Sequence, residues 1–200
     1  MKTPFFLKEN FSSENLWQKV NLLTQEQITT LEKGLTWTVN NIPDAVLIGG
    51  TATVNYVVND RKLTPDFDFL VRDISAVKDL LYNEGIKYDP LTIGIGDSLG
   101  IVVQAFNCDY LDVNVGNVKM NKLILETYNK VKIGGYEAKI IKPELLAVMK
   151  FETGRDRDLE DAFALLQSGQ CNKENYISYL AVLQDCLHEY DSIHSYLELF

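Results

Sequence analysis

The sequence predicts an α+β protein in which residues 1–142 form a mixed β-sheet domain with N-terminal helices. Residues 143–200 are predicted to form a C-terminal helical region packed on that sheet. Three observations support this prediction: strand patterns are confined to the first 140 residues, helical patterns dominate after Pro143, and 46% of the 200 residues are apolar. Such an apolar content is enough for a sizeable core and excludes a disordered chain.

Strands are predicted where short apolar or alternating runs are bounded by turn residues. The first run is Ala45-Val46-Leu47-Ile48, which ends at a glycine pair, and the last is a hairpin turning at Gly134-Gly135. The predicted strands cover 45–48, 66–71, 101–106, 110–115 and the hairpin 130–140. A loop punctuated by Gly94, Gly96 and Gly100 precedes the third of them.

Helices are predicted from apolar stripes, caps and the positions of proline and glycine. Thr24 and Gln27 fit a capping box at the start of the first long helix, and Pro143 suits the first turn of the C-terminal helices. The predicted helices cover 24–42, 51–59, 74–84, 120–129, 143–154, 156–167, 172–184 and 188–199.

The charge pattern disfavours a broad nucleic-acid-binding face, because the formal net charge is −9. The charge is uneven, however: residues 119–157 contain nine Lys and Arg against five acids, whereas residues 158–200 contain one Lys against eight acids. A basic patch beside acidic residues suits a metal–triphosphate site, and an ordinary solvated surface gives the same pattern.

The remaining bulk features exclude several classes of protein. No apolar run approaches the ~18 residues of a membrane-spanning helix, and the first residues do not form a secretory signal, so a cytoplasmic location without membrane contact is expected. The three cysteines are scattered, which argues against a zinc site and a disulfide framework.

Three aspartates on two predicted strands are the candidate catalytic and metal-binding residues. Alternation along a strand places Asp66 and Asp68 on one face and the intervening Phe67 on the other. Two adjacent carboxylates repel each other unless they share a cation, and hard oxygen ligands of this kind suit Mg²⁺. Asp112, on a second alternating strand, would complete a three-carboxylate, two-metal site. The alternative is a half-exposed D-x-D strand that binds no metal.

A second motif lies upstream, where the first strand is followed by Gly49-Gly50-Thr51 and a predicted helix. Glycines allow the backbone to approach a ligand closely, and a helix N-terminus offers free N–H groups to phosphate. By itself the motif is more often a simple tight turn. Followed by paired carboxylates, it becomes a candidate triphosphate site.

This order of motifs resembles the polymerase-beta nucleotidyltransferase superfamily, and within it the AbiEii-type toxin nucleotidyltransferases and their bacterial relatives. The resemblance rests on Gly49-Gly50-Thr51-Ala52, on the run from Arg61 to Asp68, on Asp112, and on a later block from Lys142 to Asp161. It covers roughly residues 45–166.

The resemblance implies a role for each residue of these motifs. Asp66, Asp68 and Asp112 would bind Mg²⁺, with Mn²⁺ as an alternative ion, and Asp112 would also help to deprotonate the acceptor hydroxyl. The residues implied in nucleotide binding are Gly49, Gly50, Thr51, Arg61, Thr64, Lys150, Arg155, Asp158 and Asp161.

The last block can also be judged from its spacing. Asp158 and Asp161 are three residues apart and share one helix face, which Arg155 can join. The alternatives are a surface ion-pair ladder and, for Lys150, a side chain that extends along an apolar stripe to solvent.

The expected function is therefore transfer of a nucleoside monophosphate from an NTP to a hydroxyl on a tRNA end, a protein or a small molecule. A toxin or defence role, with a cognate antitoxin as partner, is compatible with this activity. The alternative is a non-catalytic protein of the same fold that binds a nucleotide or a partner.

Overall fold

The computed structural model describes residues 4–58, 63, 67–87 and 118–200, together with the backbone of 101–105. The predicted strand 110–115 and the glycine-containing loop 94–100 lie outside these residues. The described strands form one five-stranded mixed sheet in the order β3-β2-β1-β5-β4. Their bounds are β1 Val46–Ile48, β2 Phe67–Val71, β3 Ile101–Ala105, β4 Tyr128–Ile133 and β5 Tyr136–Ile141. This mixed sheet with its helices confirms the predicted α+β class.

The sheet combines both kinds of strand pairing. β1 is antiparallel to β2 and parallel to β5, β2 is parallel to β3, and β4 and β5 form an antiparallel hairpin. All three residues of β1 are buried. Because β1 is central, with a hydrogen-bonded neighbour on each side, its end is firmly positioned by the core.

Nine α-helices lie within the described part of the chain, and short 3₁₀ turns accompany them. The helices are α1 Glu14–Val20, α2 Gln25–Asn41, α3 Gly49–Tyr56, α4 Ile74–Asn83, α5 Val118–Glu126, α6 Pro143–Thr153, α7 Asp156–Gln167, α8 Lys173–Leu183 and α9 Tyr190–Ser195. The predicted capping box at Thr24 and Gln27 is present at α2. None of the helices in the described ranges is both long and apolar enough to cross a membrane.

Three helix predictions were wrong in extent. The helix predicted over 51–59 begins at Gly49 and ends at Tyr56. The helix predicted over 120–129 ends at Glu126, because the residues from Tyr128 onward pair with β5 instead. The helix predicted over 188–199 is only the short α9 followed by a 3₁₀ turn. In the residues before α9, the Glu152 carboxylate accepts hydrogen bonds from the backbone N–H groups of His188 and Glu189.

Helix α3 connects the sheet to the C-terminal helices. It packs against β1 and β2 and against both α6 and α7. Five of its eight residues form a continuous buried run from Gly50 to Val54. α3 is therefore in contact with both the sheet and the C-terminal helical region.

Candidate functional site

The junction between β1 and α3 is the centre of the candidate site. β1 ends at Ile48 and α3 begins at Gly49, so that no loop separates the strand from the helix. Gly49 has φ +66°, a conformation that favours glycine. Ile48 pairs with Asp68 on β2, which places the Asp68 carboxylate directly beside the turn. A Cβ atom on Gly49 would lie 2.1 Å from Asp68 Oδ2, so the close approach also requires glycine.

Alternation along β2 has the predicted result. Phe67 and Phe69 are 0% and 1% exposed, whereas Asp68 between them is only partly buried. The aromatic side chains therefore enter the core, and the Asp68 carboxylate is directed to the N-terminus of α3.

The N-terminus of α3 has the properties of an anion-binding site. Its N-cap residue, Ile48, provides no side-chain hydrogen bond to the first turn. Helix N–H groups at such an end carry positive potential and suit a phosphate. Gly49 is partly exposed, whereas Thr51 is 1% exposed, so the accessible part of this helix end is at Gly49.

Four of the predicted site residues, namely Arg61, Thr64, Asp66 and Asp112, lie outside the residues that the structure describes. Of the three predicted carboxylates, Asp68 is therefore the one that the structure describes. Within the described ranges, no three His, Cys, Asp or Glu side chains group closely enough to hold a metal ion. The three-carboxylate site stays a prediction. The position of Asp68 beside the glycine turn is consistent with it.

The predicted C-terminal block forms a buried ionic cluster. Lys150 on α6 donates hydrogen bonds to Asp158 Oδ1 and Asp161 Oδ2 on α7, each at 2.8 Å. The side chains of these three residues are 4%, 7% and 4% exposed. Arg155, whose side chain is 77% exposed, donates from Nε to the other oxygen of Asp158. Two cations thus balance two carboxylates.

The electrostatics of the cluster keep Asp158 ionised. Burial by itself would raise the pKa of Asp158, but the hydrogen bonds and charges of Lys150 and Arg155 hold it below its ordinary value. The alternative of a solvated surface ladder does not describe Asp158 and Asp161, because both are buried. Lys150 lies in the interior of the helix pair, and Arg155 is the member of the cluster that is most exposed to solvent.

A polar network at the opposite end of α3 was missed by sequence reasoning. The Tyr56 hydroxyl donates to the carbonyl of Ile141 at 2.8 Å and accepts from Asn129 Nδ2 at 3.3 Å, and burial raises the pKa of Tyr56. Glu144 is 3% exposed, and its Oε1 accepts from the backbone N–H of Asn172. No spacing signal in the sequence connects these residues, since they come from four separate elements.

The fold resembles that of a known nucleotidyltransferase-like protein. The crystal structure of an antigenic nucleotidyltransferase-like protein from Paracoccidioides brasiliensis superposes with a TM-score of 0.50 at 15% identity, covering 88% of this chain and 94% of that one. At this identity the likeness concerns the fold alone. No functionally curated protein shows significant similarity to the sequence.

The family assignment comes from the sequence. Residues 35–182 match the model of a family described as nucleotidyl transferases of unknown function (DUF2204). The match includes the Gly49 turn, β2 and the whole Lys150 cluster, and it confirms the predicted resemblance to nucleotidyltransferases. The closer resemblance to AbiEii-type toxins stays a prediction. Because the matched region covers most of the chain, the protein belongs to this nucleotidyl transferase family.

Proposed function

We propose that the protein is a Mg²⁺-dependent nucleotidyltransferase that moves a nucleoside monophosphate from an NTP to a hydroxyl acceptor. The observation that carries the proposal is the Asp68 carboxylate, held against the Gly49 turn at the N-terminus of α3. A carboxylate and a phosphate-binding helix end are thereby adjacent, in a chain that belongs to a nucleotidyl transferase family.

In this proposal, the first turn of α3 binds the triphosphate. Gly49 and Gly50 leave room for the phosphates to approach the backbone, and the N–H groups up to Thr51 donate to them. Asp66, Asp68 and Asp112 would hold Mg²⁺, which when bound supplies charge neutralisation and polarises the phosphoryl oxygens. Arg61, Thr64 and the exposed Arg155 are candidates for further phosphate contacts.

The proposed reaction is an in-line displacement at the α-phosphorus. The acceptor oxygen forms a new bond to this phosphorus. The bond between the α-phosphorus and the oxygen that bridges the α- and β-phosphates breaks, and that oxygen leaves as part of pyrophosphate. The proton of the acceptor hydroxyl passes to Asp112 and from there to solvent.

We expect the buried Lys150 cluster to support the proposed site through helix packing. Lys150 joins α6 to α7 through Asp158 and Asp161, and both helices pack on α3. In this position the cluster would brace the helix pair against the element that binds the triphosphate, and Arg155 would extend from it towards the nucleotide.

The acceptor is proposed only as a class. A tRNA end, a protein side chain and a small molecule all offer the hydroxyl that the reaction needs. A role as a toxin controlled by an antitoxin is compatible with each of them.

The proposal is tested by calorimetric NTP binding with and without Mg²⁺, comparing the wild type with Asp68→Asn. Asp79→Asn is the matched control, because Asp79 is an exposed carboxylate on α4. We expect Mg²⁺-dependent binding of at least one NTP by the wild type and the control, and binding at least tenfold weaker in Asp68→Asn. Failure of all four NTPs to bind, or equal binding by Asp68→Asn, would contradict the proposal.

A second assay separates catalysis from binding alone. The protein is incubated with α-³²P-labelled NTPs and with the RNA, protein and small-molecule fractions of a cell extract, and pyrophosphate release is measured in parallel. Label transferred to one fraction identifies the acceptor class. Mg²⁺-dependent NTP binding without label transfer or pyrophosphate release in any fraction would instead favour a non-catalytic nucleotide-binding protein.

A further inference from the structure

A polar cleft lies at the C-terminal end of α3, away from the Gly49 turn. It is bounded by the start of α1, the end of α3, the β4–β5 hairpin and the segment after α7, and its volume is about 480 Å³. This volume falls within the ~300–1,000 Å³ of small-molecule sites. We call it the carboxamide pocket, because Asn15, Asn55, Asn129 and Gln170 line it.

The charge of the lining restricts what the carboxamide pocket can hold. Its described wall contains one charged side chain, Lys130, whose ammonium is paired with Glu137 at 2.6 Å. Neither a phosphate nor a metal ion would therefore find a matching set of charges there. Neutral amides and hydroxyls instead suit a neutral molecule that donates and accepts hydrogen bonds.

Asn55 shows that the pocket favours a hydrogen-bond donor. Its backbone carbonyl accepts a hydrogen bond from Ser13 Oγ at 3.0 Å, which ties α3 to α1. Its side-chain Oδ1 is buried without a hydrogen-bond partner among the described residues. A buried acceptor without a partner is unfavourable, so a ligand whose N–H or O–H group reached Asn55 Oδ1 would stabilise the protein.

The opposite wall of the pocket is firmly held. Tyr56 accepts a hydrogen bond from Asn129 Nδ2 and donates to the carbonyl of Ile141. The Asn129 carboxamide is thereby positioned by a buried phenol, and little reorganisation would accompany binding. A preformed polar wall of this kind is typical of a recognition site.

We infer that the carboxamide pocket binds a small neutral molecule that presents hydroxyl or amino donors, as sugars and ribonucleosides do. The pocket is separate from the proposed triphosphate site, since Asn55 is six residues along α3 from Gly49, or about 9 Å at ~1.5 Å per residue. Both sites share α3. The inference does not depend on catalysis.

The test is binding of D-ribose, adenosine and cytidine to the full chain, measured by saturation-transfer NMR and calorimetry. Ribose alone would identify sugar recognition, and nucleosides alone would identify recognition that includes a base. In Asn55→Leu we expect binding at least tenfold weaker with the melting temperature unchanged or raised, because the substitution removes an unpartnered buried oxygen. Asn83→Leu, on the exposed end of α4, is the control and should bind as the wild type does.

A second variant keeps the inference falsifiable if Asn55→Leu does not fold. Gln170 is exposed on the rim of the pocket, so Gln170→Leu should fold normally and also weaken binding. The inference is overturned if none of the three probes binds at about 10 mM. It is equally overturned if the folded pocket variants bind as tightly as Asn83→Leu.

Discussion

Replacing Gly49 by alanine should damage the protein more than the same replacement at Gly85. Both glycines have φ +66°, so both substitutions force alanine into the left-handed region at about 1–2 kcal/mol. A Cβ atom on Gly85 meets nothing within 4 Å, whereas on Gly49 it lies 2.1 Å from Asp68 Oδ2. Since ordinary contact begins at 3.4 Å, the carboxylate would have to retreat by about 1.3 Å.

This displacement has both a stability effect and a functional effect. Overpacking of this kind typically adds about 1–3 kcal/mol, so we expect Gly49→Ala to lower the free energy of unfolding by about 2–5 kcal/mol and Gly85→Ala by about 1–2 kcal/mol. Urea denaturation measures both values. Among folded molecules, Mg²⁺-dependent NTP binding should weaken at least tenfold in Gly49→Ala and stay at the wild-type level in Gly85→Ala.

The reasoning would be refuted by equal unfolding free energies for the two variants, because the overlap with Asp68 would then have no energetic consequence. A Gly49→Ala variant that binds NTP as the wild type does would refute the functional half. It would show that the position of the Asp68 carboxylate is not critical.

Three further outcomes follow from the buried polar groups. Lys150→Met should lower the free energy of unfolding by about 3–5 kcal/mol at pH 7.5, because Asp158 and Asp161 lose the cation between them. Urea denaturation at pH 7.5 and at pH 5 should show a smaller loss at the lower pH. Tyr56→Phe should lower it by about 1–2 kcal/mol in the same assay, since a β5 carbonyl loses its donor. Burial and nearby negative charge raise the pKa of Cys171 to about 12, so at pH 8 its alkylation by iodoacetamide should be at least ~100-fold slower in the folded than in the urea-unfolded protein, as followed by peptide mass mapping.

The expected pH effect in Lys150→Met has a definite sign. Without the ammonium, burial raises the pKa of the carboxyl groups in the folded state, and such groups stabilise folding at low pH and lose that contribution as the pH rises through the folded pKa. Lys139→Met is the control, because the Lys139–Asp44 pair is partly exposed and should contribute at most ~1 kcal/mol. A loss in Lys150→Met no larger than in Lys139→Met, or a loss that grows towards pH 5, would contradict the reasoning. If Cys171 were alkylated as fast in the folded protein as in the unfolded protein, the prediction based on its burial would be contradicted.

Local patterns were sufficient to predict most of the secondary structure. The capping box at Thr24 and the proline that opens α6 are local signals, and both elements begin where these residues indicated. Tyr128 shows where local signals fail, since a helical continuation was overridden by pairing with Ile141 at the far end of the hairpin. The start of the last helix is also in contact with a distant part of the chain, because the Glu152 carboxylate, 36 residues earlier, accepts a hydrogen bond from the backbone N–H of His188.

The candidate site was predictable to the extent that strand alternation and glycine chemistry determine it. The pairing of Ile48 with Asp68, which brings the two motifs together, depends on sheet register and has no signature in either segment alone. The burial of Lys150 could not be predicted for the same reason. The spacing of three residues between Asp158 and Asp161 on α7 indicates a shared face, but only the packing of α6 on α7 determines whether that face is exposed.

The pairing of β1 with β5 has a consequence for how the protein acquires its site during synthesis. Val46 pairs in register with Lys139, more than ninety residues later, so β1 lacks one of its two neighbouring strands until that distant segment has been made. Contacts of such long sequence separation form slowly, because a large loop must close before they contribute. A nascent chain that already contains both glycines and Asp68 should therefore bind no nucleotide. The ability to bind should appear abruptly, once β5 and the helices that cover α3 have left the ribosome.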